Sequence, residues 1–390
     1  MINSRFKTEI PFYLTIATVF SFLLSLFLLQ VFAGLLVILY LFEKYEDKKK
    51  GFDFFGSAFL VFVFVRIISV IFSEFQSISA ESLYKDLLFY TSFFAFNFYL
   101  KVFDEKKYTI IINSFAAAAV VISLIGAIRF NLGSVERAQT FSSGYTTFSA
   151  YLLTGLGMQL FLFDETKPKR SILYWLIGTS LIIYGIIISL GRTNIAIGGL
   201  MFLIFIFMRK LKIRYAAIIV LLTAMLSIIS FSANTLLVSQ RIGTPLQLSD
   251  RDIIYKGAKE ILFDHPVLGF GPRTFPEIFP DSLKSQLSDT GIGSWHNDFL
   301  QIYFESGILG EIAFLILLSL PFIVSIKYLN KKYIDKNSLR GALFSIGGLI
   351  LSAVTSVFIN SPVLSVVFAF LLAIIAREYK ILSGLKKSDG

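Results

Sequence analysis

The chain has 390 residues, of which 55% are hydrophobic and 16% charged, and its formal net charge is +10. Because a soluble domain carries about 25% charged residues, this composition excludes an ordinary soluble enzyme and indicates a polytopic membrane protein. The positive charge does not indicate nucleic-acid binding, because lysine and arginine fall in short clusters between apolar runs.

Apolar runs recur along the chain at lengths that suit a bilayer. A hydrocarbon core of about 30 Å is crossed by about 20 helical residues. The first run, 12–42, is too long for one span and barely sufficient for two short spans that turn near Gln30. The later runs follow in chain order: 52–73, 87–103, 108–128, 147–163, 172–190, 193–208, 215–232, 306–326, 341–359 and 362–376.

The basic clusters between these runs predict the topology, because short cytoplasmic loops collect lysine and arginine. Two spans within 12–42 give about twelve transmembrane helices with both termini inside, and most basic residues then lie on the inner face. A single span there would change only the side of the N-terminus. We therefore expect an all-α protein whose residues 1–390 form one membrane domain, with external loops at 129–146 and 233–296.

The longer loop, 233–296, contains a predicted amphipathic helix. Ser249 is the expected N-cap, and the helix is expected to run for about fourteen residues. It should end before His265-Pro266, because proline disfavours helix in the preceding residue. The glycines that follow, in Gly269-Phe270-Gly271-Pro272, predict a turn. Loops of this length in a compact fold are usually functional, so we expect it to carry catalytic elements.

Arginines near the outer face are the first candidate functional residues. Arg192 lies between two apolar runs with almost no loop to hold it, so it should face a polar cavity, bind an anion or snorkel to the headgroups. Arg251 shares one face of the loop helix with Tyr255 and Lys259, where it could bind phosphate oxygens or belong to a solvated face. Arg137, in the shorter loop, could equally be part of a polar connection.

The second candidate is the segment that enters the next apolar run. His296 lies at the junction of loop and helix, where a neutral imidazole can accept a proton from a hydroxyl near neutral pH. A structural histidine at a helix start is the alternative. If the segment is helical, Asn297, Gln301 and Glu305 form a polar stripe at i, i+4 and i+8 that enters the membrane.

Two other polar residues have structural interpretations. His265 is expected to be structural, next to its proline. Arg66 lies within an apolar run and should pair with a carboxylate or with backbone carbonyls, but the sequence does not identify the partner. The chain has no cysteine and only two histidines, and its acidic residues show no metal-ligand spacing, so a mechanism without metal or cofactor is expected.

Taken in order, these motifs resemble the O-antigen ligase and polymerase superfamily of bacterial envelopes. The resemblance rests on Arg192-Thr193-Asn194 at the top of a span and on Arg251 followed by His265-Pro266-Val267-Leu268-Gly269-Phe270-Gly271. It continues with His296-Asn297 and, after nine intervening residues, Gly307-Ile308-Leu309-Gly310. The Arg137 segment also looks like that family's earlier external loop.

The resemblance implies a glycosyltransferase of GT-C-like architecture in the bacterial inner membrane, with its active site facing the periplasm. The implied donor is a glycan linked to undecaprenyl pyrophosphate, and the implied acceptor is lipid A core or another lipid-linked glycan. In such an enzyme Arg192 and Arg251 would bind the donor pyrophosphate, and His296 would act as general base. Asn297 and Glu305 would support the site, together with Arg137 and Tyr255.

Two alternatives to a ligase remain open at this level. A polysaccharide repeat-unit polymerase uses the same chemistry on a different acceptor, and the spacing from His296-Asn297 to Gly307 favours the ligase. A transporter or flippase would also have about twelve helices, but transporters commonly carry internal repeats and midplane charges. Here we find no repeat, and the candidate residues gather at the outer face.

Overall fold

The computed structural model describes residues 4–234, 250–287, 292–329 and 337–388, and all regular secondary structure in these ranges is helical. The first ten helices are α1 (Ser4–Ser21), α2 (Leu26–Leu41), α3 (Tyr45–Gly51), α4 (Phe54–Ile71), α5 (Gln76–Val102), α6 (Glu105–Asn131), α7 (Tyr145–Phe161), α8 (Lys169–Ile188), α9 (Arg192–Arg209) and α10 (Ile213–Ala233). The others are α11 (Arg251–Glu260), α12 (Phe275–Ile278), α13 (Asp281–Lys284), α14 (Asp298–Leu329), α15 (Asn337–Ala353) and α16 (Leu364–Ser388).

Six helical segments have the length and hydropathy of a membrane span, judged within the described ranges: α4, α6, α8, α9, α10 and residues 298–326 of α14. The expectation of an all-α membrane protein is therefore confirmed. The apolar helices α2, α7 and α15 are shorter, with 16 or 17 residues each. The count of about twelve spans stays a prediction.

The first apolar run forms two helices that pass along the bundle in opposite directions. Near the start of α1, Glu9 lies 2.9 Å from the Lys107 ammonium at the start of α6. The following turn reaches the other end, where Ser142 Oγ donates to the Leu23 carbonyl at 2.9 Å. The turn lies at residues 22–25 and not near Gln30, because Ser25 is the N-cap of α2 and accepts a bond from the Leu28 amide.

The bundle is built around α16. Residues 363–376 are almost completely buried, and α16 packs against α5, α7, α14 and α15. A helix that is apolar all round needs such an environment. Close approach of the neighbouring pair α7 and α15 depends on Gly157, because a Cβ there would lie 2.6 Å from the Ser345 amide nitrogen.

The segment between α10 and α14 has a small hydrophobic core of its own at one end of the bundle, which we call the loop end. This core contains Trp295, Ile254, Phe275, Phe279 and Leu283, all nearly inaccessible to solvent. It packs α11 and the short helices α12 and α13 against the start of α14. The loop is therefore a folded cap in its described parts, residues 250–287 and 292–297.

The amphipathic helix exists but is shorter than predicted. It has ten residues, begins at Arg251 with Asp250 in the N-cap position, and ends at Glu260; Ser249 lies outside the described residues. Residues 261–264 form turns instead of a last helical turn. The Leu262 carbonyl accepts a bond from the Tyr303 hydroxyl, and the Asp264 amide bonds to the carbonyl three residues back, which redirects the chain towards Pro266.

Candidate functional site

The loop that joins α15 to α16, residues 354–363, is the point where the candidate residues meet. It lies at the loop end of the bundle and is irregular. In the sequence this segment is only the junction of two apolar runs, and no function is predicted for it. Three separate elements bond to it, namely the start of α11, the start of α14 and the segment around Arg273.

Arg251 and the start of α9 are both tied to this region. The Arg251 guanidinium donates from Nη2 to the Thr355 carbonyl at 2.8 Å. Three residues earlier, Ser352 Oγ donates to Asn194 Oδ1 at 2.9 Å, and the Asn194 amide donates to Ser149 at 2.7 Å. The structure therefore brings the two predicted arginine segments, 192–194 and 251, to opposite ends of one short stretch of chain.

Arg192 is exposed and is the first residue of α9, after Gly191 in the N-cap position. The first amide N–H groups of a helix have no intrahelical acceptor, and the helix dipole makes this end positive. An arginine at that position adds a full positive charge. The start of α9 thus has the electrostatic character of an anion-binding site.

His296 is held just before α14 by the residues that begin that helix. Asn297 is the N-cap, since its Oδ1 accepts bonds from the Phe299 and Leu300 amides at 2.9 and 3.3 Å. Buried Asp298 then accepts bonds from the Phe358 and Ile359 amides at 2.8 and 3.2 Å. The partly buried His296 is therefore two residues from a direct connection to the 354–363 loop.

Glu305 is the centre of a buried polar network and lies one turn of helix from Gln301. Its Oε1 accepts bonds from Gln301 Nε2 at 2.6 Å, the Arg273 backbone amide at 2.7 Å and Asn360 Nδ2 at 2.9 Å. Its Oε2 lies 2.5 Å from Arg66 Nη1. Of the predicted stripe, Gln301 and Glu305 share a buried face of α14, whereas Asn297 precedes the helix as its N-cap.

The partners of Arg66, which the sequence could not identify, are Glu305 and Asp86. Arg66 Nη2 lies 3.7 Å from Asp86 Oδ2, and Arg273 Nη2 donates to Asp86 Oδ1 at 2.6 Å. Two arginines and two carboxylates thus form a charge-balanced cluster, with Asn360 bonded at its edge through its side chain and its carbonyl. Asp86, Arg273 and Asn360 were missed because they are far apart in the sequence and no local pattern links them to Arg66 or Glu305.

The glycine motifs fit together where α14 is broken. Gly307 has φ 62° and ψ −165°, which interrupts the helix, and residues 266–271 run alongside the break. The Phe270 amide donates to the Phe304 carbonyl at 2.7 Å, and the Ile308 amide donates to the Pro266 carbonyl at 2.8 Å. A Cβ on Gly307 would lie 2.2 Å from the Val267 carbonyl group, so only glycine fits there.

Backbone strain is concentrated at the candidate residues. Positive φ is rare outside glycine and costs about 1–3 kcal/mol, and it persists where function or surrounding structure requires it. In the described ranges, Lys210 has φ 48° at the far end of α9. The other four such residues adjoin or belong to the site: Leu190 (54°), Asp250 (61°), Arg273 (61°) and His296 (50°). This pattern marks the neighbourhoods of Arg192 and Arg251, and it adds Arg273 to them.

Arg137 and Tyr255 have different surroundings from one another. Arg137 stacks on the Tyr145 ring at 4.0 Å, and the next residue, Ala138, donates its amide to the Ile188 carbonyl at 3.0 Å. This bond places the Arg137 loop beside the turn that precedes Arg192. Tyr255 instead packs against the small core of the loop end, so the structure shows a packing contact for it.

His265, the second histidine, lies apart from these bonds. Its side chain is 36% exposed, 3.5 Å from Glu74, and its ring lies against Phe270 at 4.3 Å between centroids. These contacts agree with the structural role expected from the sequence.

The arrangement provides cations and one imidazole at the loop end of a membrane bundle. Arg66 and Arg273 are neutralised by their carboxylates, whereas Arg251 makes its described bond to an uncharged carbonyl. A guanidinium has five N–H donors, so one such bond leaves capacity for a phosphate. Arg251 therefore has donors available for an anionic group at the loop end.

The O-antigen ligase family matches residues 177–315, a region that contains Arg192, Arg251, Arg273, His296 and Glu305. A search of curated proteins gave no match.

Proposed function

We propose, from the match of residues 177–315 to the O-antigen ligase family, that the protein transfers a glycan from undecaprenyl pyrophosphate to a sugar hydroxyl of lipid A core. The reaction takes place at the periplasmic face of the bacterial inner membrane, where the loop end lies in this proposal. The positive-inside distribution of lysine and arginine supports that orientation.

One observation carries the proposal. The 354–363 loop bonds to Arg251 through Thr355 and to the helix that follows His296 through Asp298. Arg251 and the helix start that follows His296 come from distant parts of the sequence, and both are bonded to this one short loop. Glycosyl transfer from a pyrophosphate needs both functions close together.

In the proposed reaction, the acceptor hydroxyl oxygen attacks the anomeric carbon of the donor glycan. His296 accepts the hydroxyl proton, and the bond between the anomeric carbon and the pyrophosphate oxygen breaks. Such general-base help is worth about 10²–10⁴-fold in rate. Direct attack inverts the configuration of the anomeric carbon in this proposal.

Arg192 and Arg251 stabilise the negative charge that develops on the departing undecaprenyl pyrophosphate. Arginine suits this role because its planar fork binds phosphate oxygens in a bidentate way. The N-terminal end of α9 contributes a favourable dipole at Arg192. Asn297 and Glu305 order the site, and the reaction needs neither a metal nor a cofactor in this proposal.

A transfer assay with purified protein in liposomes tests the proposal. The donor is an undecaprenyl-pyrophosphate glycan, the acceptors are lipid A core and a second lipid-linked repeat, and EDTA is present. We expect product on lipid A core for the wild type and none for His296→Ala. His265→Gln is the matched control, because the chain has only two histidines and His265 contacts Glu74 and Phe270.

The acceptors distinguish the alternatives within the superfamily. Extension of the lipid-linked glycan, with lipid A core unused, would make the protein a repeat-unit polymerase with the same catalytic residues. Absence of product with both acceptors would contradict the transferase and return the flippase to consideration.

A further inference from the structure

Asn360 holds the 354–363 loop in two ways. Its side-chain Nδ2 donates to Glu305 Oε1 at 2.9 Å, and its backbone carbonyl accepts from Arg273 Nη2 at 3.1 Å. Both partners belong to the charge-balanced cluster inside the bundle. The loop is therefore anchored to a buried, charge-balanced cluster near the site.

The same loop orients Arg251 and the start of α14. Thr355 accepts from Arg251, and the Phe358 and Ile359 amides donate to Asp298. Only four residues lie between Thr355 and Asn360, so we expect movement of the loop at Asn360 to reach the partner of Arg251. A shift of about 1 Å in a substrate-positioning group is enough to cost about 100-fold in rate.

Asn360 is one of several partners of Glu305, so we expect the fold to tolerate its truncation. Without its side chain, Glu305 still accepts from Arg66, Gln301 and the Arg273 amide. The Asn360 Oδ1 atom is buried without a hydrogen-bond partner in the described part of the chain, so its removal relieves an unsatisfied acceptor. We therefore expect Asn360→Ala to remove the side-chain anchor of the loop, while its backbone carbonyl can still accept from Arg273 and the cluster stays intact.

We propose that Asn360 is a positioning residue for glycosyl transfer: through the 354–363 loop it sets the Arg251 guanidinium for the donor pyrophosphate. The inference rests on the proposed function and adds to it a residue outside the matched region 177–315. In this inference Asn360 affects donor binding through Arg251, and Asn360 does not contact the substrate.

Binding of undecaprenyl pyrophosphate without glycan tests this role separately from turnover. The full-length protein in detergent is titrated with the lipid, and the dissociation constant is measured from the dose dependence of thermal stabilisation. We expect Asn360→Ala to weaken binding by about 5- to 30-fold, a coupling typical of residues in one hydrogen-bond network. In the Arg251→Ala background, Asn360→Ala should produce no further weakening.

The double variant separates positioning from a general structural effect, which would weaken binding equally in both backgrounds. Asp298→Asn, which alters the other anchor of the loop, is the second variant if Asn360→Ala folds poorly, and the same dependence on Arg251 is expected. Asn131→Ala is the matched control, because its amide also makes two bonds at this end of the bundle, to Ala127 and Tyr184.

Two results would overturn the inference: wild-type affinity in Asn360→Ala and Asp298→Asn, or equal weakening with and without Arg251. Failure of the wild type to bind the lipid, or an unchanged affinity in Arg251→Ala, would instead overturn the donor site of the proposed function. The two failures are therefore distinguishable.

Discussion

Arg66 in α4 and Glu305 in α14 form an ion pair at 2.5 Å, and each side chain is only 1% exposed. Removing one member leaves the other charged and buried, which costs about 3–5 kcal/mol in comparable pairs. We expect Arg66→Ala to lower the melting temperature of the purified protein strongly, as measured by thermal unfolding in detergent. Lys85→Ala, which breaks an exposed pair with Glu81 at 2.8 Å, should leave it unchanged. Equal melting temperatures for the two variants would contradict a stabilising role for the buried pair.

The break in α14 requires glycine in both chain segments that meet there, at Gly307 and at Gly269. A Cβ at Gly307 would lie 2.2 Å from the Val267 carbonyl, and one at Gly269 would lie 2.5 Å from the Glu305 carbonyl carbon. Both residues also have positive φ. We therefore expect Gly307→Ala and Gly269→Ala to reduce folded yield and transfer together, as measured by monodisperse protein after purification and by the transfer assay.

Gly199→Ala is the control for these two substitutions. Gly199 lies within α9, and a Cβ there would meet nothing within 4 Å. Alanine is favoured over glycine in a helix by about 1 kcal/mol, so this variant should be at least as stable as the wild type. Normal yield from Gly307→Ala would show that the two segments can separate without loss of the fold.

The helices were largely predictable from the sequence, because a run of about 20 apolar residues has few alternatives to a span. The i, i+4 relation between Gln301 and Glu305 was also predictable, since it depends only on helical geometry. The pair Arg66 and Glu305 was not, because 239 residues separate them and no local pattern encodes that contact. The positioning role proposed for Asn360 was not predictable for a related reason. It depends on three elements that meet at the 354–363 loop only in the folded chain.

The proposed pyrophosphate site predicts a chemical distinction between arginine and lysine. Arg192→Ala and Arg251→Ala should abolish transfer with normal folding, because the leaving-group charge is no longer stabilised. Arg251→Lys should recover only part of the rate, since an ammonium cannot bind phosphate in the bidentate way that arginine does. The measurement is kcat/KM for the lipid-linked donor.

Lys256→Ala provides the control on the same helix, because Lys256 is exposed on α11. It removes one positive charge and should leave kcat/KM for the donor near the wild-type value. If Lys256→Ala and Arg251→Ala caused similar losses, general attraction to the anionic lipid would explain the effect better than a specific site.

The strained backbone at His296 predicts that stability and activity can be separated. A left-handed conformation costs a non-glycine residue about 1–2 kcal/mol, whereas glycine adopts it freely. His296 has φ 50°, so His296→Gly should be more stable than His296→Ala by about 1 kcal/mol, with the helix start otherwise held by Asn297 and Asp298. Both variants lack the imidazole and should be inactive in the transfer assay.

Thermal unfolding of the wild type and the two variants in detergent provides the comparison. A higher melting temperature for His296→Ala than for His296→Gly would show that the positive φ is not a source of strain. Activity in either variant would remove His296 as the general base, whatever the order of stabilities.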